Sequence, residues 1–139
     1  MIRRANEADI PRLIEIRGAV RENKLRDPSR VTTDDYHWFI ANPGIFVWEE
    51  DGRVVGLSAA DPRDGSIWAL FMDQAYEGRG FARLLFECAC VVLENAGCKR
   101  MWLTTAPETR AEKFYSKAGW KVAGVKGYQL VFERFPPFA

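Results

Sequence analysis

Apolar residues recur along this chain at two periods, and the switch between them marks out its elements. Ile2 to Arg4 reads as a short strand. Asn6-Glu-Ala-Asp9 then reads as the cap of a helix carrying Ile10, Leu13, Ile14 and Arg17 at helical spacing, with Pro11 tolerated in the first turns. Arg21 to Arg30 is a polar loop, after which Thr32-Thr-Asp-Asp35 caps a second helix with Tyr36, Phe39 and Ile40 on one side, and Asn42-Pro-Gly44 ends it. Strand-like runs follow at Ile45 to Glu49 and Arg53 to Ala60, joined by the hairpin signal Asp51-Gly52. Asp61-Pro-Arg-Asp-Gly65 turns the chain into a third run, Ser66 to Met72. These three runs predict an antiparallel meander.

The helical period returns with Phe81, Leu84, Leu85, Cys88 and Val92, closed by Asn95-Ala-Gly97 with Gly97 as a left-handed cap. Met101 to Thr105 is a further strand. Because a helix separates it from Ser66 to Met72, the two are expected to lie parallel through a right-handed crossover. Thr105-Ala-Pro-Glu108 reads as a capping box for a helix carrying Ala111, Phe114, Tyr115 and Ala118, stopped by Gly119. Trp120 to Ala123 and Tyr128 to Glu133 complete the pattern as a hairpin around Gly124-Val-Lys-Gly127, and the tail Phe135-Pro-Pro-Phe-Ala139 cannot continue a sheet. The expected fold class is α/β: a mixed sheet of six to seven strands in which an antiparallel meander joins a parallel βαβ unit, with about four helices, as one domain over residues 1–139.

Composition narrows the functions this fold can carry. The chain of 139 residues is long enough to bury a core without disulfides or a structural metal. Lys+Arg 20 against Asp+Glu 19 leaves a net charge of +1, with no basic block or acidic tail, which argues against nucleic acid or a membrane as partner. Met1-Ile-Arg-Arg-Ala-Asn has no apolar signal region, so a cytoplasmic location is expected. Cys88, Cys90 and Cys98 are odd in number and badly placed for one another, so they read as free thiols and not as a metal site.

Any anion recognition must therefore be local, and one stretch is suited to it. Phe71-Met-Asp-Gln-Ala-Tyr-Glu-Gly-Arg-Gly-Phe-Ala-Arg-Leu-Leu85 runs from a strand end through a glycine-spaced turn into an amphipathic helix. Gly78 and Gly80 let the backbone turn sharply and bring its N–H groups to an anion at the positive end of the helix dipole. Arg79 and Arg83 can add charge-assisted hydrogen bonds from the rim. A dinucleotide fold is excluded by spacing, because Gly78-x-Gly80 is followed by Arg83 where a third glycine belongs.

The order of elements, with Glu77-Gly-Arg-Gly-Phe-Ala82 after the central strand and Thr109-Arg-Ala-Glu-Lys-Phe-Tyr-Ser-Lys-Ala-Gly-Trp120 after the next, resembles the GNAT superfamily of N-acetyltransferases over nearly the whole chain. That family's phosphate loop, Gln/Arg-x-x-Gly-x-Gly/Ala, becomes Glu77-x-x-Gly80-x-Ala82 here. Its later helix becomes Ala111, Tyr115 and Gly119-Trp120. Two departures stand out: Glu77 in place of glutamine or arginine, and Glu108 where many members have asparagine. The resemblance implies acetyl-CoA as co-substrate, held between the strands ending at Met72 and Thr105. The main chain of Phe71 and Met72 would pair with its pantetheine arm, and the amides of Gly78, Arg79, Gly80, Phe81, Ala82 and Arg83 would hold its pyrophosphate. A backbone N–H near Leu70 to Met72 would polarise the thioester carbonyl.

The activity so implied is transfer of an acetyl group to a primary amine of a small molecule, an amino acid or a peptide by direct attack on the thioester. Tyr115 is the family's candidate for answering the departing thiolate. A phenol of pKa about 10 facing a thiol near 8.5 makes full proton transfer uphill by roughly 2 kcal/mol, so a hydrogen bond that strengthens as the thiolate forms is the better expectation. The general base is not legible; Glu49, Asp61 and Asp73 are the carboxylates near strand ends, and His37 reads as a surface or half-buried histidine. Trp38, Trp48, Trp68 and Tyr128 are candidates for an aromatic acceptor pocket. A non-catalytic acyl-CoA sensor is the competing function. A homodimer through the C-terminal strand or tail is a further expectation.

Overall fold

The computed structural model describes residues 1–19 and 31–137; the polar loop expected at residues 21–30 lies outside the described residues. Seven strands form one sheet in the order β1-β2-β3-β4-β5-β7-β6. They are β1 (Ile2–Arg4), β2 (Ile45–Glu50), β3 (Arg53–Asp61), β4 (Ser66–Met72), β5 (Met101–Thr105), β6 (Lys121–Lys126) and β7 (Gln129–Arg134). The helices are α1 (Ile10–Ala19), α2 (Thr33–Ala41), α3 (Phe81–Asn95) and α4 (Arg110–Lys117). The meander β2-β3-β4 is antiparallel and β4 meets β5 in parallel across α3, as the sequence predicts.

Two layers of helices sandwich the sheet. On one face Ile10, Leu13 and Ile16 of α1 and Tyr36 and Phe39 of α2 pack on Ile45, Val47, Leu57 and Ala59. On the other, Phe86, Ala89, Cys90 and Leu93 of α3 pack with Tyr115, Trp120 and the β5–β7 residues Leu103 and Phe132. The Ser58 hydroxyl donates to the Leu85 carbonyl at 2.7 Å and fastens α3 to β3.

Several helical faces are rotated relative to the sequence reading. In α1 the inward residue is Ile16, while Ile14 is 44% exposed. The helix proper starts at Ile10 behind a 3₁₀ turn, Glu7–Asp9, capped by Asn6, which shifts the inward stripe. In α3 the buried stripe is Leu85, Phe86, Ala89, Cys90 and Leu93, with Cys88 and Val92 on its flank. A helix covering a broad sheet buries a wider face than the narrow stripe first read.

The capping box expected at Thr105 does not form. Thr105 is consumed by β5, paired with Leu130 of β7. The N-cap is Thr109, whose hydroxyl accepts from the Glu112 amide, after Glu108 has turned the chain at φ 60. The last hairpin also differs. Val125 and Lys126 continue β6, the turn is Gly127-Tyr128, and the bulge between Val122 and Gly124 absorbs the glycine read as loop. β7 then inserts between β5 and β6, a non-local choice that hydrophobic periodicity does not encode.

Candidate functional site

The central feature is a gap between neighbouring strands. β3 and β4 pair from Gly56 with Met72 to Asp61 with Ser66, with a bulge between Ala59 and Ala60, but β4 and β5 share a single pair, Ser66 with Trp102. Beyond it the strands part. The edge of β4 from Ile67 to Met72 and that of β5 from Trp102 to Thr105 face each other across a cleft of about 1520 Å³. Backbone polar groups along such edges need partners, so the split is an extended hydrogen-bonding slot.

The glycine turn stands at one end of this cleft. Asp73 caps a short 3₁₀ turn, Gln74–Tyr76, and Gly80 takes φ 83 as the N-cap of α3, a conformation open to glycine at little cost. No side chain caps α3, so its first amides are left to other acceptors. Gly78, Gly80, Phe81 and Ala82 line the cleft together with Phe71, Met72 and Thr105.

The charged residues distribute differently from that reading. Arg79 lies over the Tyr76 ring at 4.8 Å and Arg83 pairs with Glu87 at 3.7 Å; neither lines the cleft. Besides Arg17 of α1, the lining cations are Arg110, Lys113 and Lys117 of α4 and Lys126 of β6. Glu77, the departure noted above, is ion-paired with Arg110 across the cleft mouth, so its negative charge is already answered. Tertiary folding alone brings α4 beside the glycine turn.

Tyr115 lines the cleft on the α3 side and is 7% exposed. Its ring is held by Phe86 and Phe114, each at 5.4 Å, and by Phe132 at 5.9 Å. Burial raises its pKa well above that of a free phenol, with Cys90 acting in the same direction. Burial also pushes the Cys90 thiol up to about 12.

None of the three carboxylates considered as base lines the cleft. Glu49 reaches Arg3 at 3.4 Å, Asp61 pairs with Arg63 at 2.8 Å, and Asp73 binds Arg12 at 2.6 Å and accepts from the Ala75 amide. The side chain of His37 is 44% exposed, with Nδ1 3.2 Å from Glu7. Of the four aromatics considered for the acceptor side, Trp68 and Tyr128 line the cleft. Trp48 stacks on Phe81 at 4.0 Å instead, and Trp38 lies against Phe39 and under Arg63.

Arg17 also went unremarked as a functional group. It reaches the cleft from α1 on the sheet face opposite Tyr115. The sequence did carry a signal for it, a charge on an otherwise apolar stripe.

A slot between diverging parallel strands, with an open helix N-terminus at its mouth, defines a class of coenzyme-binding α/β domain. Residues 10–120 match the Acetyltransferase (GNAT) family. The chain belongs to that family. It is 32% identical over 90 residues to uncharacterized N-acetyltransferases of Mycobacterium bovis and Mycobacterium tuberculosis, a match covering 62% of this chain and 58% of theirs. PaiA N-acetyltransferase from Thermoplasma acidophilum in complex with coenzyme A has the same fold at 16% identity, with a TM-score of 0.77 and coverage of 97% and 98% of the two chains. YncA from Salmonella typhimurium with acetyl-CoA aligns at TM-score 0.74 and 20% identity over 97% of this chain and 92% of its own.

Proposed function

We propose that this protein is an acetyl-CoA-dependent N-acetyltransferase that transfers the acetyl group to a primary amine of a small molecule, an amino acid or a peptide by direct attack. The observation that carries this reading is the parting of β4 from β5 beyond Ser66–Trp102, with the uncapped start of α3 at the opening. A pantetheine arm is a chain of amides, and the two parted strand edges offer it the partners a sheet neighbour would. Its pyrophosphate would meet the amides of residues 78–83, supported by the helix dipole and by Arg110, Lys113 and Lys117.

The amine attacks the thioester carbon, the carbonyl oxygen becomes negative, and collapse expels the coenzyme A thiolate as the nitrogen gives up its extra proton to water. A main-chain N–H of β4 between Leu70 and Met72 supplies the oxyanion donor in this reading, a role worth about 2.7–4 kcal/mol of barrier in comparable sites. Tyr115 donates a hydrogen bond to the leaving sulfur. Its raised pKa widens the gap to a thiol near 8.5, so the proton stays on the tyrosine while the bond strengthens. With Glu49, Asp61 and Asp73 engaged elsewhere, the acceptor enters as the free amine. Its own ionisation then shapes the acid side of the pH–rate profile.

The first experiment is calorimetric titration with acetyl-CoA and with dephospho and desulfo analogues, followed by a thiol-release screen of amines. Saturable one-to-one binding that needs the phosphates, with amine-dependent thiol release, supports the reading. Absence of binding at hundreds of micromolar sinks it. Binding without turnover for any amine would favour the acyl-CoA sensor. The C-terminal strand expected to pair between copies is β7, which is flanked by β5 and β6, so we infer a homodimer through the edge strand β6 instead, exposed along its length with Val125 at 70%. A Val125→Lys variant should then be monomeric by light scattering while the parent is dimeric, and a monomeric parent refutes the inference.

A further inference from the structure

Arg17 is placed at a desolvation cost that the Tyr36 hydroxyl and two aromatic rings offset only in part. Its guanidinium lies 5.1 Å from the Trp68 ring centre and 4.7 Å from that of Phe71, so the cation rests against aromatic surface. Nε and Nη1 are buried and have no hydrogen-bond partner among the described residues. Burial lowers its pKa, with the Tyr36 hydroxyl and, more remotely, Asp35 opposing that shift. Asp35 itself is engaged, its carboxylate accepting from the Thr32 amide at 2.7 Å. No carboxylate among the described residues forms an ion pair with Arg17, whereas Arg3, Arg12, Arg53, Arg63, Arg83, Arg100 and Arg110 each have one.

A desolvated cation without an anion is among the more expensive arrangements in a folded chain. The elements around Arg17 hold it there. Arg12, one turn earlier, is clamped by the Val54 carbonyl at 2.8 Å and by Asp73. The end of α1 is tied by Gln74, which donates to the Ala19 carbonyl at 3.0 Å. The residue lines the cleft beside β4, on the face of the sheet away from Tyr115. It is also distinct from the basic lip formed by α4 and Lys126.

We propose that Arg17 is the receptor for a carboxylate on the acceptor, so that the amine acetylated here belongs to an amino acid or another carboxylate-bearing amine. This rests on the acetyltransferase reading for the word acceptor, and on the unpaired guanidinium for the carboxylate. Arginine suits a planar carboxylate because its donors lie in one plane, and two of them, Nε and Nη1, have no partner among the described residues. Seating the anion takes a rotation of the guanidinium that uncovers its buried nitrogens. Binding then supplies the charge and hydrogen bonds the site lacks, and fixes the amine relative to the thioester.

Two measurements test the proposal separately from the activity. In the first, the Arg17 Nε–H resonance is followed by NMR, assigned through Arg17→Met, during titration with N-acetyl amino acids, their carboxamides and inorganic phosphate. The expected result is a saturable shift with the carboxylates and none with the carboxamides. Silence toward every carboxylate, or a stronger response to phosphate, overturns the site. In the second, kcat/KM is compared for amino acids and their amides. The parent should prefer the acid by about 100-fold. Arg17→Met should abolish that preference, Arg17→Lys should restore part of it, and both should leave acetyl-CoA affinity within two-fold. Equal turnover of acid and amide by the parent overturns the proposal. Failure to bind acetyl-CoA would remove the acetyltransferase reading instead, and the NMR titration would still decide the carboxylate site.

Discussion

Tyr115 is where a single hydroxyl is expected to matter most. Tyr115→Phe removes the donor while keeping the ring that Phe86, Phe114 and Phe132 pack against. We expect kcat to fall by about 10²-fold with acetyl-CoA affinity within two-fold, read by thiol release and calorimetry. Because burial raises this pKa, Tyr115 stays protonated across the working range, so the parent's rate should show no alkaline loss traceable to it. A rate loss in the parent near pH 9 that Tyr115→Phe abolishes would contradict this. Arg17 belongs to the same scale. Its charge is visible in the sequence, but the lack of a carboxylate partner among the described residues is not, since pairing is decided by which distant side chains arrive.

At the scale of elements, buried-side ion pairs pin α1 to the sheet. Asp9 is held below the usual carboxylate range chiefly by its hydrogen bond from Arg3, and Asp73 by the Ala75 amide and then Arg12. Depressed folded pKa values contribute stability that is fully present above the unfolded value of about 3.9 and is lost as pH falls through the folded values. Urea unfolding should therefore show stability dropping below about pH 4. The Asp9→Asn/Asp73→Asn variant should be less stable at pH 7 but flatter across the acid range. At the β4 start, Gly65 sits at φ 80, and a Cβ there would lie 2.5 Å from the Arg100 carbonyl oxygen. Gly65→Ala combines left-handed strain with a backbone clash next to the only β4–β5 pair, a cost of about 2–4 kcal/mol. An unchanged melting temperature would contradict it.

For the whole molecule, the parted strands predict how stability responds to ligand. The meander with α1 and α2 and the unit of β5, α4, β6 and β7 are joined at β4–β5 by one backbone pair and by α3. A co-substrate that bonds to both edges bridges the halves. At a hundred times its dissociation constant, acetyl-CoA should stabilise the fold by about 2.7 kcal/mol, a rise in melting temperature of roughly 10 °C. A shift under about 2 °C under those conditions would mean that the ligand does not bind the folded state in this way. Among the described residues no helix is long and apolar enough to cross a membrane.

The sequence by itself determined the element order, the meander, the crossover that makes β4 and β5 parallel, and the glycine turn that opens α3. Each follows from periodicity, turn chemistry or handedness, which act over a few residues or through one connection. Of the site candidates it offered, Gly78, Gly80, Phe81, Ala82, Phe71, Met72, Thr105 and Tyr115 line the cleft, and Arg79 and Arg83 do not. Only the tertiary structure decided the rest. β7 was inserted between β5 and β6, Thr105 was drawn into a strand and the cap moved to Thr109, Arg110 was brought onto Glu77, and Arg17 was left against two aromatic rings. These outcomes depend on contacts between residues far apart in the chain, where competing partners are compared in space and local preference has no vote.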